Sequence, residues 1–243
     1  MAIQSRAPAV LMTRPAAQSE AFVVALQERF PLVPVVISSL LVPRFLVPHL
    51  PKRKWTALIF TSQTAVEAAR RMVAAGETLP TRAFCVGNRT ALKAAAAGFV
   101  AVSAEGDAQA LVAMITAQAV QGPLLHLHGQ DTRGDVGQNL CKAGVETVSE
   151  AIYTQDLCPL TAEAVALLLG PGPVLAPVFS PRSAEALARE CRRIGATSAL
   201  SIIAISPAAA QAFGPGDITI ARQPDASAMI VAMALRMNAR SKP

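Results

Sequence analysis

The sequence predicts an α/β protein assembled twice: two similar three-layer α/β/α domains with mostly parallel sheets, joined by a two-stranded antiparallel hinge. Apolar runs of four to six residues alternate with Ala-rich helical stretches, the pattern of βα units whose sheet is covered on both faces. The chain also repeats itself at long range. Phe60-Thr61-Ser62-Gln63-Thr64-Ala65 reappears 119 positions on as Phe179-Ser180-Pro181-Arg182-Ser183-Ala184. Val86-Gly87-Asn88-Arg89-Thr90-Ala91 meets Ile205-Ser206-Pro207-Ala208-Ala209-Ala210 at the same spacing, and Asp107-Ala108-Gln109-Ala110-Leu111 meets Asp225-Ala226-Ser227-Ala228-Met229 at 118. So long a period marks duplicated domains, since solenoid repeats run roughly 20 to 50 residues. At 243 residues and 52% hydrophobic content, the chain can bury two cores.

The expected strands are 8 to 13, 33 to 37, 56 to 61, 83 to 87, 99 to 103, 123 to 128, 145 to 153, 174 to 179, 201 to 205 and 217 to 220, five in each half. Helix starts follow from capping chemistry. Arg14-Pro15 puts proline in the first turn of a helix over 15 to 29, where its missing N–H costs nothing. Thr61 or Ser62 caps 63 to 75, Asn88 caps 89 to 97, Ser180 with Pro181 opens 182 to 194, and Ser206 with Pro207 opens 208 to 213. Gly76, Gly98, Gly144 and Gly195 close helices.

The domain division is expected off centre. Ser38 to Pro51 is proline-rich and unrepeated, and Ile152 to Pro159 interrupts the second half at the corresponding place. Residues 1 to 37 with 157 to 243 would then form one domain, with 40 to 154 inserted and hinge strands near 35 to 39 and 152 to 157.

Composition removes several function classes. The most apolar stretch, Phe30 to Leu50, carries Pro31, Pro34, Pro43, Arg44 and Pro48, which no bilayer helix would hold together. Met1 to Pro15 lacks the apolar core of a signal peptide, so the cytoplasm is expected. Cys85, Cys141, Cys158 and Cys191 have no metal or redox spacing and read as small core residues. His126 and His128 share a face of a strand, but a metal would need more ligands than that pair. The net charge of +6 favours anionic partners, yet Lys52-Arg53-Lys54 and Arg192-Arg193 are the only short basic runs, with one Trp and one Tyr to stack on bases; nucleic acid is not expected. Neither G-x-G-x-x-G nor a P-loop occurs, Gly170-Pro171-Gly172 being a turn, and G-x-S-x-G is absent too.

What remains is a set of strand-to-helix turns carrying Thr13, Arg14, Ser62, Gln63, Thr64, Gly87, Asn88, Thr90, His128, Gly129, Ser180, Arg182, Ser183, Ser206 and Ala208. In open α/β sheets ligands bind at the carboxyl ends of strands, where every one of these lies. Capping explains each singly. Together they describe a cleft of hydroxyls and N–H donors suited to an elongated polycarboxylate. Tyr153, the only tyrosine, ends the strand that leads to the hinge; its phenol either reaches the cleft or caps the strand.

The residues resemble the uroporphyrinogen-III synthase family over nearly the whole chain. The likeness rests on Thr13-Arg14-Pro15, Phe60-Thr61-Ser62 with Ala65-Val66, Val86-Gly87 with Thr90-Ala91, the run Gly129 to Asp135 with Leu140 and Gly144 leading to Tyr153, Phe179-Ser180-Pro181, and Ile205-Ser206-Pro207. The resemblance implies a cofactor-free, metal-free, monomeric lyase that closes linear hydroxymethylbilane, an octacarboxylate, into uroporphyrinogen III. It implies loss of the terminal hydroxyl to an azafulvene, a spiro intermediate and re-closure with the last ring inverted. Tyr153 matches the family tyrosine proposed to assist departure of the hydroxyl, and Ser62, Thr90 and Ser180 match positions facing the cleft. Family members often carry threonine where Ala208 and Ala209 stand, so there the backbone amide would have to serve alone. The alternative is a non-catalytic two-domain binder of an anionic tetrapyrrole or metabolite.

Overall fold

The computed structural model describes residues 8–131 and 135–239, which divide into two compact units, one drawn from Met1–Val42 and Leu157–Pro243, the other from Pro43–Asp156. Each is a twisted sheet between two helix layers. In the first unit, the strands are β1 (Ala9–Met12), β2 (Val35–Ile37), β9 (Pro173–Val178), β10 (Ala199–Ala204) and β11 (Ile218–Ile220). They lie in the order β11-β10-β9-β1-β2, and every neighbouring pair is parallel. Helices α1 (Ala16–Arg29) and α9 (Ala226–Ala239) carry one face; α6 (Ala162–Leu169), α7 (Pro181–Ile194) and α8 (Pro207–Ala210) carry the other. Alternation along the strands sends Val10, Met12, Leu175 and Ile203 to the first face and Leu11, Val174, Ala176 and Ile202 to the second.

The second unit holds β3 (Leu41–Phe45), β4 (Ala57–Phe60), β5 (Arg82–Cys85), β6 (Val100–Ser103), β7 (Leu124–Gly129) and β8 (Thr147–Leu157), in the order β3-β8-β7-β4-β5-β6. Leu58, Phe60, Leu125 and Leu127 pack toward α2 (Gln63–Ala74) and α3 (Asn88–Ala96), while Ala57, Ile59, Phe84 and Leu124 pack toward α4 (Ala108–Ala117) and α5 (Val136–Lys142). Apart from β3, the spatial order β6-β5-β4-β7-β8 mirrors β11-β10-β9-β1-β2. The sequence repeat is therefore a structural one. β4–α2 answers β9–α7, β5–α3 answers β10–α8, and β6–α4 answers β11–α9.

The repeated polar residues are caps. Ser62 Oγ accepts from Ala65 N, Ser180 Oγ from Ser183 N and Ser206 Oγ from Ala209 N. Asp107 and Asp225 cap α4 and α9 by accepting from Ala110 N at 3.0 Å and Ala228 N at 2.8 Å. Gly195 closes α7 in the left-handed region at φ +65°, its N–H returning to the carbonyls of Arg192 and Cys191.

The elements differ from expectation in several places. β3 lies in the proline-rich, unrepeated segment, where no strand is expected; Pro43 is tolerated there because β3 is the edge of its sheet. The strand expected near 35 to 39 is β2, bound to β1, and the residues of 147 to 157 form one continuous β8. The cap of α3 is Gly87 with no side-chain bond, Asn88 being the first helical residue. Pro15 precedes α1, its carbonyl accepting from Gln18 N and Ser19 N. The helix of 208 to 213 is a short α8 followed by a 3-10 turn, Gln211–Phe213. Cys141 is exposed on α5, its Sγ turned to the Thr147 carbonyl, whereas Cys85 is fully buried as expected of a core residue. Of the run Gly129 to Asp135, residues 132–134 lie outside the described residues. Among the described residues, no helix is long and apolar enough to cross a membrane, and no cluster of His, Cys, Asp and Glu could hold a metal.

One buried polar side chain interrupts the second core. His126 on β7 is 3% exposed, with Nε2 3.5 Å from Thr61 Oγ1, Nδ1 3.4 Å from Ser149 Oγ, and its ring 4.8 Å from that of His128. Burial first, and the His128 charge second, push its pKa down to about 3 from 6.5. The unfolded chain takes up this proton below about pH 6.5 and the folded chain only near 3, so this contribution to stability is full above 6.5 and falls with pH between the two values. We expect His126→Met to narrow the difference between melting temperatures at about pH 5 and about pH 7.5, read by circular dichroism; an unchanged difference would show that the ring is not the neutral group described.

Candidate active site

In an open α/β sheet the connections leave in opposite directions at one gap between neighbouring strands, and a ligand finds a crevice at the carboxyl side of that gap. The first unit has its gap between β1 and β9, and the second between β4 and β7. Candidate residues lie at both.

At the first gap, Thr13 and Arg14 follow β1, and Phe179 and Ser180 follow β9. The Arg14 guanidinium lies over the Phe179 ring, 4.1 Å from its centroid, and Nη2 donates to Gln18 Oε1 at 2.8 Å. The Arg14 carbonyl accepts from Ser19 Oγ at 3.0 Å and Ser39 Oγ at 2.8 Å, which fixes the backbone from which the side chain springs. Thr13 is 1% exposed, and its hydroxyl has no hydrogen-bond partner among the described residues. Ser180 and Ser183 bond each other at the start of α7, and half-buried Arg182 stands between them in the chain. One strand further out, Ser206 caps α8, with Ala208 exposed in its first turn.

The second gap holds the phenol. Tyr153 on β8 is 9% exposed, and its hydroxyl lies 3.0 Å from Ser62 Oγ, reaching across the end of β7 to the turn that follows β4. Its backbone pairs with Gly129 beside a bulge at His128/Gly129, and its carbonyl accepts from Gln130 N at 2.8 Å. Gly129 is required here by space. A Cβ on it would fall 2.5 Å from Tyr153 Cζ and 2.7 Å from the phenol oxygen. Burial pushes the Tyr153 pKa above its usual value, the Ser62 hydrogen bond pulls it down, and the Asp131 charge pushes it up. The phenol is thus protonated at neutral pH. His128 Nδ1 donates to the Gly129 carbonyl at 2.8 Å.

Beside this pair, Gln63 and Thr64 form the half-buried first turn of α2. Gly87, Asn88 and Thr90 start α3, Thr90 buried and the Gly87 carbonyl accepting from Thr90 N and Ala91 N. Gly87 supplies no side-chain cap to the first N–H groups of α3, the kind of helix start at which an anion can bind. Ser62, Gly129 and Tyr153 are thus brought together in the second unit, as are Thr13, Arg14, Ser180 and Ser183 around the first gap. The reading of single residues missed Phe179 as the platform for Arg14, and the Thr61–His126–Ser149 set behind Ser62. Both Phe179 and Thr61 lie inside the repeat, which is the signal that could have found them.

The family model described as Uroporphyrinogen-III synthase HemD matches residues 24–231. Among curated proteins no sequence matches the chain significantly. Among solved structures, a uroporphyrinogen-III synthetase from Helicobacter pylori 26695 is similar with a TM-score of 0.63 at 17% identity, over 94% of this chain and 100% of that one. A mutant uroporphyrinogen III synthase from the extremely thermophilic bacterium Thermus thermophilus aligns at 15% identity over 96% of this chain and 100% of that one, with a TM-score of 0.49. The Helicobacter likeness is one of fold, and the family match spans most of the sequence, including the tyrosine and the turns that follow β4 and β9. On that match the chain belongs to the uroporphyrinogen-III synthase family, the cyclising lyases of haem biosynthesis.

Proposed function

We propose that this protein closes linear hydroxymethylbilane into uroporphyrinogen III, inverting the last pyrrole ring and releasing one water. The observation that carries the reading is the protonated phenol of Tyr153, fixed at the carboxyl rim of its sheet by Ser62 and Gly129. In this reading Tyr153 donates a hydrogen bond to the terminal hydroxyl as its carbon–oxygen bond breaks, the oxygen leaves as water, and the pyrrole that supplied the electrons becomes an azafulvene. Attack by the last ring gives a spiro carbon, and re-opening and closure at its other α-carbon set the inverted order. The net change is loss of water, so neither an oxidant nor a reductant takes part.

The remaining residues hold the substrate. The bilane carries eight carboxylates, and this chain offers them a net charge of +6, the uncapped start of α3 and the Arg14 guanidinium held on Phe179. Positioning of this kind can supply roughly 7 to 11 kcal/mol where the bound geometry is near that of attack. The alternative product needs no enzyme, because the bilane closes spontaneously without inversion. Gln63, Thr64, Gly87, Asn88, Thr90, His128, Ser180, Arg182, Ser183, Ser206 and Ala208 complete the proposed binding set. A monomer acting in the cytoplasm, without a cofactor or nucleic acid, completes the reading.

Incubation with enzymatically generated hydroxymethylbilane is expected to give the type III isomer after oxidation and separation; the type I isomer alone would refute the function. Tyr153→Phe is expected to lower kcat about 10-fold or more with KM within about twofold, because a donor used in bond breaking is lost while the carboxylate contacts stay. A wild-type kcat in that variant would remove Tyr153 from the chemistry. Gly129→Ala is expected to lower kcat at least as far, the new methyl displacing the phenol, in a protein whose circular dichroism is unchanged. Arg14→Ala is expected to raise KM by about fivefold and to weaken its rise with salt, read from initial rates at two ionic strengths.

A further inference from the structure

We propose that Ser62 is a positioning residue that aims the proton of Tyr153 at the substrate, rather than a ligand for a substrate carboxylate. This rests on the reading of Tyr153 as the donor. A serine hydroxyl has one proton to give and two lone pairs to receive with. Ala65 N–H, 3.1 Å away, occupies one lone pair, as the N-cap of α2 requires. The other partner of Ser62 Oγ among the described residues is the phenol oxygen, 3.0 Å away, and either oxygen can supply the proton of that bond. A phenol that gives its proton to the substrate has none for Ser62, so on the donor reading the hydroxyl donates to Tyr153 and receives from Ala65. The phenol oxygen is already engaged from behind, so its own proton is left to point elsewhere.

This arrangement does two things to the phenol. A chain running from amide to hydroxyl to phenol polarises each member in the same sense, with the positive end of α2 at its origin, which makes the Tyr153 O–H a stronger donor. Gly129 lies close against the ring, since even a methyl there would touch Cζ, Cε2 and the oxygen. Ser62 thus holds the phenol oxygen, and Gly129, lacking a side chain, leaves the ring its place. The charged group acting on the phenol besides this pair is Asp131, which follows β7 and disfavours the phenolate, while His128 is turned to the Gly129 carbonyl.

The chain has one tyrosine among 243 residues, so phenolate absorbance reports on Tyr153 alone. Glycine is itself an accepted N-cap, so Ser62→Gly removes the hydroxyl while leaving α2 a start; Ser62→Thr keeps both. In Ser62→Gly we expect phenolate formation to move to higher pH, kcat to fall about 5- to 20-fold and KM to stay within about twofold, with the type III product retained. Ser62→Thr should restore both titration and kcat. In a Tyr153→Phe background, Ser62→Gly should cost nothing further, since Ser62 would have no proton left to aim. An unchanged titration, a wild-type kcat in Ser62→Gly beside an impaired Tyr153→Phe, or losses that multiply in the double variant would each overturn this role and leave that of Tyr153 standing. A wild-type kcat in Tyr153→Phe would instead overturn the donor reading, and the role of Ser62 with it.

Discussion

A parallel strand hands its chain to the next helix at the same edge of the sheet as every other strand in its row. That constraint governs this molecule. It collects Thr13, Ser62, Gly87, Gly129, Ser180 and Ser206, scattered over nearly 200 positions of sequence, at the carboxyl edges of two sheets, and it starts a helix at most of those points. Helix starts leave N–H groups that need acceptors, so the edge is rich in donors before any side chain is chosen. The side chains then decide which donors are spoken for. Ser62, Ser180 and Ser206 cap their own helices, whereas Gly87 gives its helix no side-chain cap.

The two copies dress this edge differently. Around the β1–β9 gap an arginine is braced by a ring and by two serines that hold its carbonyl. Around the β4–β7 gap stands instead a protonated phenol from β8, bonded to a serine and close against a glycine. Behind it a buried, neutral imidazole stands between two hydroxyls, so the polar chemistry of this gap extends inward into the core.

Much of this is legible in the sequence, for identifiable reasons. Strand alternation and the 119-residue spacing point to the doubled α/β architecture, because the period of burial and the cap residues are local properties. Ser62, Ser180 and Ser206 are readable as caps since a hydroxyl before an Ala-rich stretch has few other uses. β3 is not readable: Pro43 and Arg44 interrupt its apolar pattern, and only its place at a sheet edge makes that sequence acceptable as a strand. Asparagine is the better capping residue, so the local pattern favours Asn88, and nothing in it says that the helix begins one residue earlier. The bond between Ser62 and Tyr153 joins residues 91 positions apart, and Gly129 matters through a space that only the folded backbone defines. Such contacts are set by tertiary packing, which a pattern of residue types does not record.

The mirrored strand order has one more consequence. β1 is bonded on one side to β2, its near neighbour in sequence, and on the other to β9, about 160 residues later. On a ribosome, β1 and β2 emerge ahead of the sheet they must join, whereas all of β4 to β8 can assemble as soon as they are exposed. The sheet that ends with β11 is therefore completed by strands made long before it, and the sheet begun second matures ahead of the one begun first. Two stretches of apolar strand must wait through that interval, which makes the β1–α1–β2 segment of the nascent chain the natural client of any holding chaperone.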